Sequence, residues 1–103
     1  MKEKLLRIIK HYGLSHQQRK LEEEVYELQE AIIRYEMARE TNSTGGVYSL
    51  VAFEEHITEE IADVCVLLMQ IANYFKLDIP SIDRTMEMKI DRQIERMKDG
   101  ERN

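Results

Sequence analysis

Residues 61–69 read IADVCVLLM, a run that is apolar on every side apart from one carboxylate, Asp63. The run is too short to span a bilayer, which takes about 20 apolar residues. It continues a longer segment whose apolar spacing is helical. A helix that is apolar all round is buried all round, so what surrounds this stretch decides the architecture.

The same periodicity recurs on either side. Around the run itself the spacing predicts a helix over about 52–75. Upstream, Leu21, Val25, Leu28, Ile32 and Tyr35 alternate steps of four and three, predicting a helix that follows Ser15 and runs to about residue 40. Ser15 and Gln18 have the spacing of a capping box at its start. Residues 2–11 carry Leu5, Ile8 and Ile9 and stop at Gly13, which reads as a first short helix. Residues 80–98 form a fourth, with Pro80 in the first turn and Asp78 placed to cap it. Residues 41–49, TNSTGGVYS, are the one clear loop, and the closing DGERN is expected to fray. The fold class is therefore all-α, a four-helix bundle in a single domain over residues 1–103, with 98–103 as a frayed tail. Four short helices in one copy can hardly enclose another helix completely, so the bundle is expected to be completed by homo-oligomerisation.

Composition narrows the partners. With 20 acidic against 15 basic residues the net charge is -5, a poor balance for duplex nucleic acid, whose affinity comes from neutralising phosphates. A polyanionic small ligand escorted by a divalent cation stays compatible. The single cysteine, Cys65, excludes an intramolecular disulfide. With a charged N-terminal stretch and no membrane span, a reduced, soluble, cytoplasmic protein is expected.

Asp63 needs a physical explanation, because a carboxylate on a buried helix face is costly unless it is paired, protonated or bound to a metal. Glu60 lies three residues earlier on the same face. Glu24 and Glu27 repeat that spacing on the second helix, Glu24 at the edge of the apolar stripe and Glu27 just beyond it. If the two helices pack antiparallel, the pairs face each other across a groove. Such an all-oxygen cluster suits a hard cation, Mg²⁺ first and Mn²⁺ as a substitute. Spacing alone leaves two readings open, a solvated acidic face or a cation site that takes phosphate oxygens from a ligand.

At these residues the chain resembles the MazG-like all-α nucleoside triphosphate pyrophosphohydrolase superfamily, whose signature is Glu-Glu-x-x-Glu on one helix and Glu-x-x-Asp on the next. The first block is KLEEEVYELQEA at residues 20–31 and the second EEIADV at 59–64. A looser third block, KIDRQI at 89–94, falls where family members carry a Lys/Arg-bearing segment. The likeness covers about residues 15–97. The interval between Leu28 and Glu59 is longer than in the most compact members, and the loop at 41–49 accounts for it. The resemblance implies cleavage of nucleoside or deoxynucleoside triphosphates to monophosphate and pyrophosphate, a reaction that could serve to clear unwanted nucleotides. It implies Mg²⁺ held by Glu24, Glu27, Glu60 and Asp63 as the catalytic constellation, with Lys89, Arg92 and Lys20 facing phosphate. It also implies a homodimer or homotetramer. A sibling activity within the superfamily is that of phosphoribosyl-ATP pyrophosphohydrolase.

Other residues are weighed against plainer roles. His56, one turn before Glu60, either joins the metal or is a half-exposed helix residue. Tyr48 is a loop tyrosine able to stack on a base, and Cys65 reads as a small buried hydrophobe. The six methionines are core filling. A di-iron carboxylate bundle would need Glu-x-x-His on two helices, and that motif does not occur. From a different class, the chain could be a non-catalytic helical oligomer acting as an interaction module, which would have no reason to bury Asp63.

Overall fold

The computed structural model describes residues 1–41 and 46–102 and has four helices, α1 (Lys2–Tyr12), α2 (Leu14–Thr41), α3 (Gly46–Tyr74) and α4 (Ile79–Arg102), with no strand among the described residues. Among the described residues no helix is long and apolar enough to cross a membrane.

One residue joins α1 to α2. Gly13 sits at φ 90° and ψ 152°, a region that is essentially closed to residues with a Cβ. Its N–H donates to the Ile9 carbonyl at 2.8 Å, and its own carbonyl accepts the Gln17 N–H at 3.1 Å. The glycine thus ends one helix and starts the next, which leaves no turn for Ser15 to cap; Ser15 lies inside α2, and the expected capping box does not form. Nothing would lie within 4 Å of a Cβ at this position, so Gly13→Ala tests the backbone alone. It should destabilise the fold by about 1–3 kcal/mol, read from urea unfolding at fixed protein concentration.

α3 packs along α2 and on α1, with α1 touching α2 more lightly. The α2 residues turned inward are Gln17, Leu21, Glu24, Leu28, Ala31, Tyr35 and Ala38, alternate steps of four and three that suit a long antiparallel seam. This differs from the apolar stripe read in the sequence. Leu21, Leu28 and Tyr35 belong to both, but Val25 and Ile32 are 38 % and 44 % exposed. Those three residues are the shared border of two faces. Within one chain the face presented to α3 is the one carrying small Ala31 and the polar Gln17 and Glu24. The apolar interior is correspondingly small, namely Leu5, Ile9, Ala31, Leu67 and Ala72.

At the far end of α3, Lys76 takes φ 57°. Its N–H donates to the Asn73 carbonyl and the Leu77 N–H to the Ala72 carbonyl, a Schellman ending. Asp78 then caps α4 as expected, accepting from the Ser81 N–H at 3.2 Å and from the Ser81 hydroxyl at 2.7 Å. Two boundaries differ from expectation. α3 begins at Gly46, inside the expected loop, of which residues 42–45 lie outside the described residues. α4 stays helical to Arg102 rather than fraying after Lys98.

The four helices do not close into a bundle within one chain. α4 stands apart, without a packed interface to α1, α2 or α3, and leaves Met86, Met88, Ile90, Ile94 and Met97 exposed. The radius of gyration is 18.0 Å, against about 13 Å for a compact domain of this length. The run at 61–69 is covered on one side only: Leu67 is buried, while Ile61, Cys65, Val66 and Leu68 are exposed. Cys65 is thus no core residue of the single chain.

Candidate metal centre

The α2–α3 seam is antiparallel. Gln17 meets Gln70, Glu24 meets Glu60 and Tyr35 meets Glu54, so positions rise on one helix as they fall on the other. That register brings both acidic pairs to one place. Carboxylate oxygens of Glu24, Glu60 and Asp63 all lie within 4.8 Å of one another. The burial is the reverse of the sequence reading. Asp63, expected inside, is exposed, whereas Glu24 and Glu60 sit in the seam, each 7 % exposed. The rotation of α2 described above carries Glu24 inward, and Glu60 lies opposite it, while Asp63 falls toward the rim.

Glu24 and Glu60 each keep one oxygen, Oε2, buried and without a hydrogen-bond donor. Buried polar atoms are nearly always satisfied, and two orphans on facing carboxylates form a hard, anionic donor pair. Burial first, then the neighbouring Glu24, Glu27 and Asp63, raise the Glu60 carboxyl above the ordinary carboxylate range. Glu27 lies one turn beyond Glu24, exposed and outside the tight trio; the charge of Glu24 is the main cause of its own upward shift. These groups resist being charged together, and a divalent cation relieves that conflict. The donor set therefore fits a hard metal ion, with Glu24, Glu60 and Asp63 converging and Glu27 beside them.

Lys20 reaches the cluster, its Nζ 3.3 Å from Glu24 Oε1 and 3.7 Å from Glu23 Oε2. His56 Nε2 stands 3.9 Å from Glu60 Oε1, too far for a hydrogen bond. A cleft of about 210 Å³ opens beside Glu24 and Asp63, lined by those two together with Gln17, Lys20, Val66, Leu67 and Gln70. Lys89 and Arg92 are not brought there. Both are exposed on α4, and within one chain that helix does not approach the carboxylates. The side chain of Tyr48 lies outside the described residues.

The sequence reading missed a buried polar layer beside the trio. Gln17 Nε2 donates to Gln70 Oε1 at 2.8 Å across the seam, and Asn73 Nδ2 donates to the Met69 carbonyl at 3.0 Å. The available signal was register: residues 17, 24 and 31 fall on one face, as do 60, 67 and 70.

The fold and the site together define an all-helical chain that sets acidic residues of two antiparallel helices against each other in one carboxylate cluster. The family model of the MazG nucleotide pyrophosphohydrolase domain matches residues 14–98, and the chain belongs to that family. Its general activity is nucleotide pyrophosphohydrolysis, and its enzymes generally use divalent metals. Neither the comparison with curated proteins nor that with solved structures gave a match.

Proposed function

We propose that this chain hydrolyses nucleoside or deoxynucleoside triphosphates between the α and β phosphates, releasing a monophosphate and pyrophosphate. The observation that carries this reading is the pair of buried, facing carboxylates, Glu24 and Glu60, each with an orphaned oxygen. Mg²⁺, with Mn²⁺ as a substitute, would be held by Glu24, Glu60 and Asp63, with Glu27 completing the set. When bound, the cation neutralises phosphate charge and helps orient the attacking water.

The residues of the chain divide the remaining work. Glu24 and Glu60, fixed between two long helices, hold their oxygens in place. Asp63 stands at the rim, where a phosphate arriving from solvent meets the centre. Lys20 is positioned to exchange its contact with Glu24 for one with a phosphate oxygen. Lys89 and Arg92 belong to this reading only through a second chain. A homodimer or homotetramer that seats the apolar side of α4 on a neighbour would cover both exposed faces and bring those cations to bear. A cytoplasmic role in clearing unwanted nucleotides is consistent with this chemistry.

The test is pyrophosphate release from the common ribo- and deoxyribonucleoside triphosphates, with Mg²⁺ and with EDTA. Metal-dependent release with monophosphate as the second product is expected. Silence on all of them would end the triphosphate reading and point to a modified or histidine-pathway nucleotide, or to an interaction module. Sedimentation velocity across a dilution series tests the assembly, which fails if the chain stays monomeric throughout.

A further inference from the structure

The carboxylate centre accounts for the phosphate end of a nucleotide and leaves a neighbouring depression unexplained. That depression, about 390 Å³, lies at the joint of α1 and α2 and is lined by Tyr12, His16, Gln17, Arg19, Lys20 and Glu23. Gln17 and Lys20 also line the cleft beside Glu24 and Asp63, so the two hollows share a wall. Between His16 and Glu24 lie two turns of α2, about 12 Å along the axis at about 1.5 Å per residue.

Part of the lining is an aromatic pair. The Tyr12 and His16 rings stack with centroids 5.0 Å apart and planes 18° from parallel. A surface histidine ordinarily samples several rotamers, but this one is tied to the interior. Because Gln17 Nε2 donates to Gln70 Oε1 at 2.8 Å, Gln17 presents its Oε1 to His16 Nδ1, also 2.8 Å away. Gln17 and Gln70 are 4 % and 3 % exposed, so the imidazole is anchored through two buried amides to α3. The anchor makes Nδ1 the proton-bearing nitrogen and holds the ring plane. Tyr12, 54 % exposed, keeps ring surface open to solvent. Lys20, which contacts both Glu23 and Glu24, carries positive charge to the side facing the carboxylates, and Arg19 adds a second cation to the lining.

We propose that the Tyr12–His16 pair is the base subsite, an aromatic platform on which the base of a nucleotide stacks while its phosphates lie at the carboxylate centre. This rests on the triphosphate reading above. Stacking accepts any base, since each has a π-face, so the platform favours nucleotides over bare polyphosphate rather than one base over another. Of the pair, Tyr12 lies just before the family-matched residues 14–98 and His16 lies within them.

The test compares the wild type with Tyr12→Ala, Tyr12→Phe and His16→Ala, measuring KM for nucleoside triphosphates and the inhibition constant of inorganic tripolyphosphate, both with Mg²⁺. Tyr12→Ala and His16→Ala should raise KM about tenfold and leave tripolyphosphate inhibition unchanged, while Tyr12→Phe keeps the wild-type KM. Circular dichroism melts confirm that each variant is folded. An unaltered KM in both alanine variants overturns the proposal. Equal weakening of nucleotide and tripolyphosphate also overturns it, assigning the depression to phosphates. If the wild type cleaves no triphosphate, the hydrolase reading fails by itself, and calorimetric titration with nucleoside monophosphates decides the subsite. Binding that Tyr12→Ala abolishes upholds it, and no binding by the wild type refutes it.

Discussion

Glu24→Gln should lower metal-dependent pyrophosphate release by at least about a thousandfold and, in EDTA, raise the melting temperature. The first effect follows from losing an anionic oxygen at the centre of the trio. A metal contributes several kcal/mol to stabilising a phosphoryl transition state, and each 1.36 kcal/mol is a factor of ten in rate. The second follows from burial. Glu24 and Glu60 face each other as two acceptors, each with an orphaned Oε2. Glutamine has the same shape and can donate through Nε2, so a contact between two carboxylates becomes an amide–carboxylate hydrogen bond. Lys20 keeps an oxygen to bind at the position where it now meets Glu24. Opposite signs for activity and stability mark a site maintained at the expense of the fold. Asp63→Asn supplies the contrast, because Asp63 is exposed; it should lose turnover with little change in melting temperature. Near-normal metal-dependent turnover in Glu24→Gln would remove the seam from the mechanism. A lower melting temperature in EDTA would refute the account of its strain.

The second large effect is the response of the melting temperature to divalent cation and pH together. Burial and neighbouring carboxylates raise the Glu60 carboxyl, and the charge of Glu24 raises Glu27. In the metal-free protein the native state therefore holds these protons more tightly than the unfolded chain does. Their contribution to stability is greatest at the acidic end of the carboxylate range, falls as the pH rises through the raised pKa values, and is level above them. A bound cation reverses the trend, since it requires the deprotonated oxygens. With Mg²⁺ at a hundredfold excess over its dissociation constant, the native state gains about 2.7 kcal/mol, on the order of 10 °C in melting temperature for a chain of this size. The gain should be large at neutral pH and vanish as the pH drops into the raised carboxylate range. Differential scanning fluorimetry over a grid of pH and Mg²⁺ reads both axes, with Glu60→Gln as the control that flattens them. A melting temperature indifferent to Mg²⁺ at neutral pH would mean that the trio holds no such ion.

The helices were legible because their apolar residues recur at helical steps with few breaks, and the acidic blocks because equal three-residue spacings let the pairs face each other if the two helices pack antiparallel. The inward face of α2 was not. Leu21, Leu28 and Tyr35 border two stripes, and only the partner decides between Val25 and Ile32 on one side and Glu24 and Ala31 on the other. Asp63 was misplaced for a related reason, since apolar neighbours in sequence say nothing about which side of α3 is covered within one chain. Nor does an amphipathic pattern record whether its partner is the same chain or another, so α4 read as a bundle member although it packs on no helix of its own chain. Gly-Gly and hydroxyl-rich composition marked 41–49 as a loop, yet from Gly46 onward the backbone is already helical. A glycine preceding Ser15 gave no hint of its dihedral angles, and those displaced the expected cap. Gln17 and Gln70 stood in register with the acidic residues and were passed over because neutral amides are common on helix surfaces.

The joint at Gly13 bears on length as well as composition. A residue added to the last turn of α1 would rotate Leu5 and Ile9 by about 100° around the helix axis, away from the surface they cover on α3. Placed directly after Tyr12, it would also shift Tyr12 out of step with His16. With no slack between the two helices to absorb a change in register, insertions and deletions are excluded there even where most point substitutions on the exposed face of α1 are neutral.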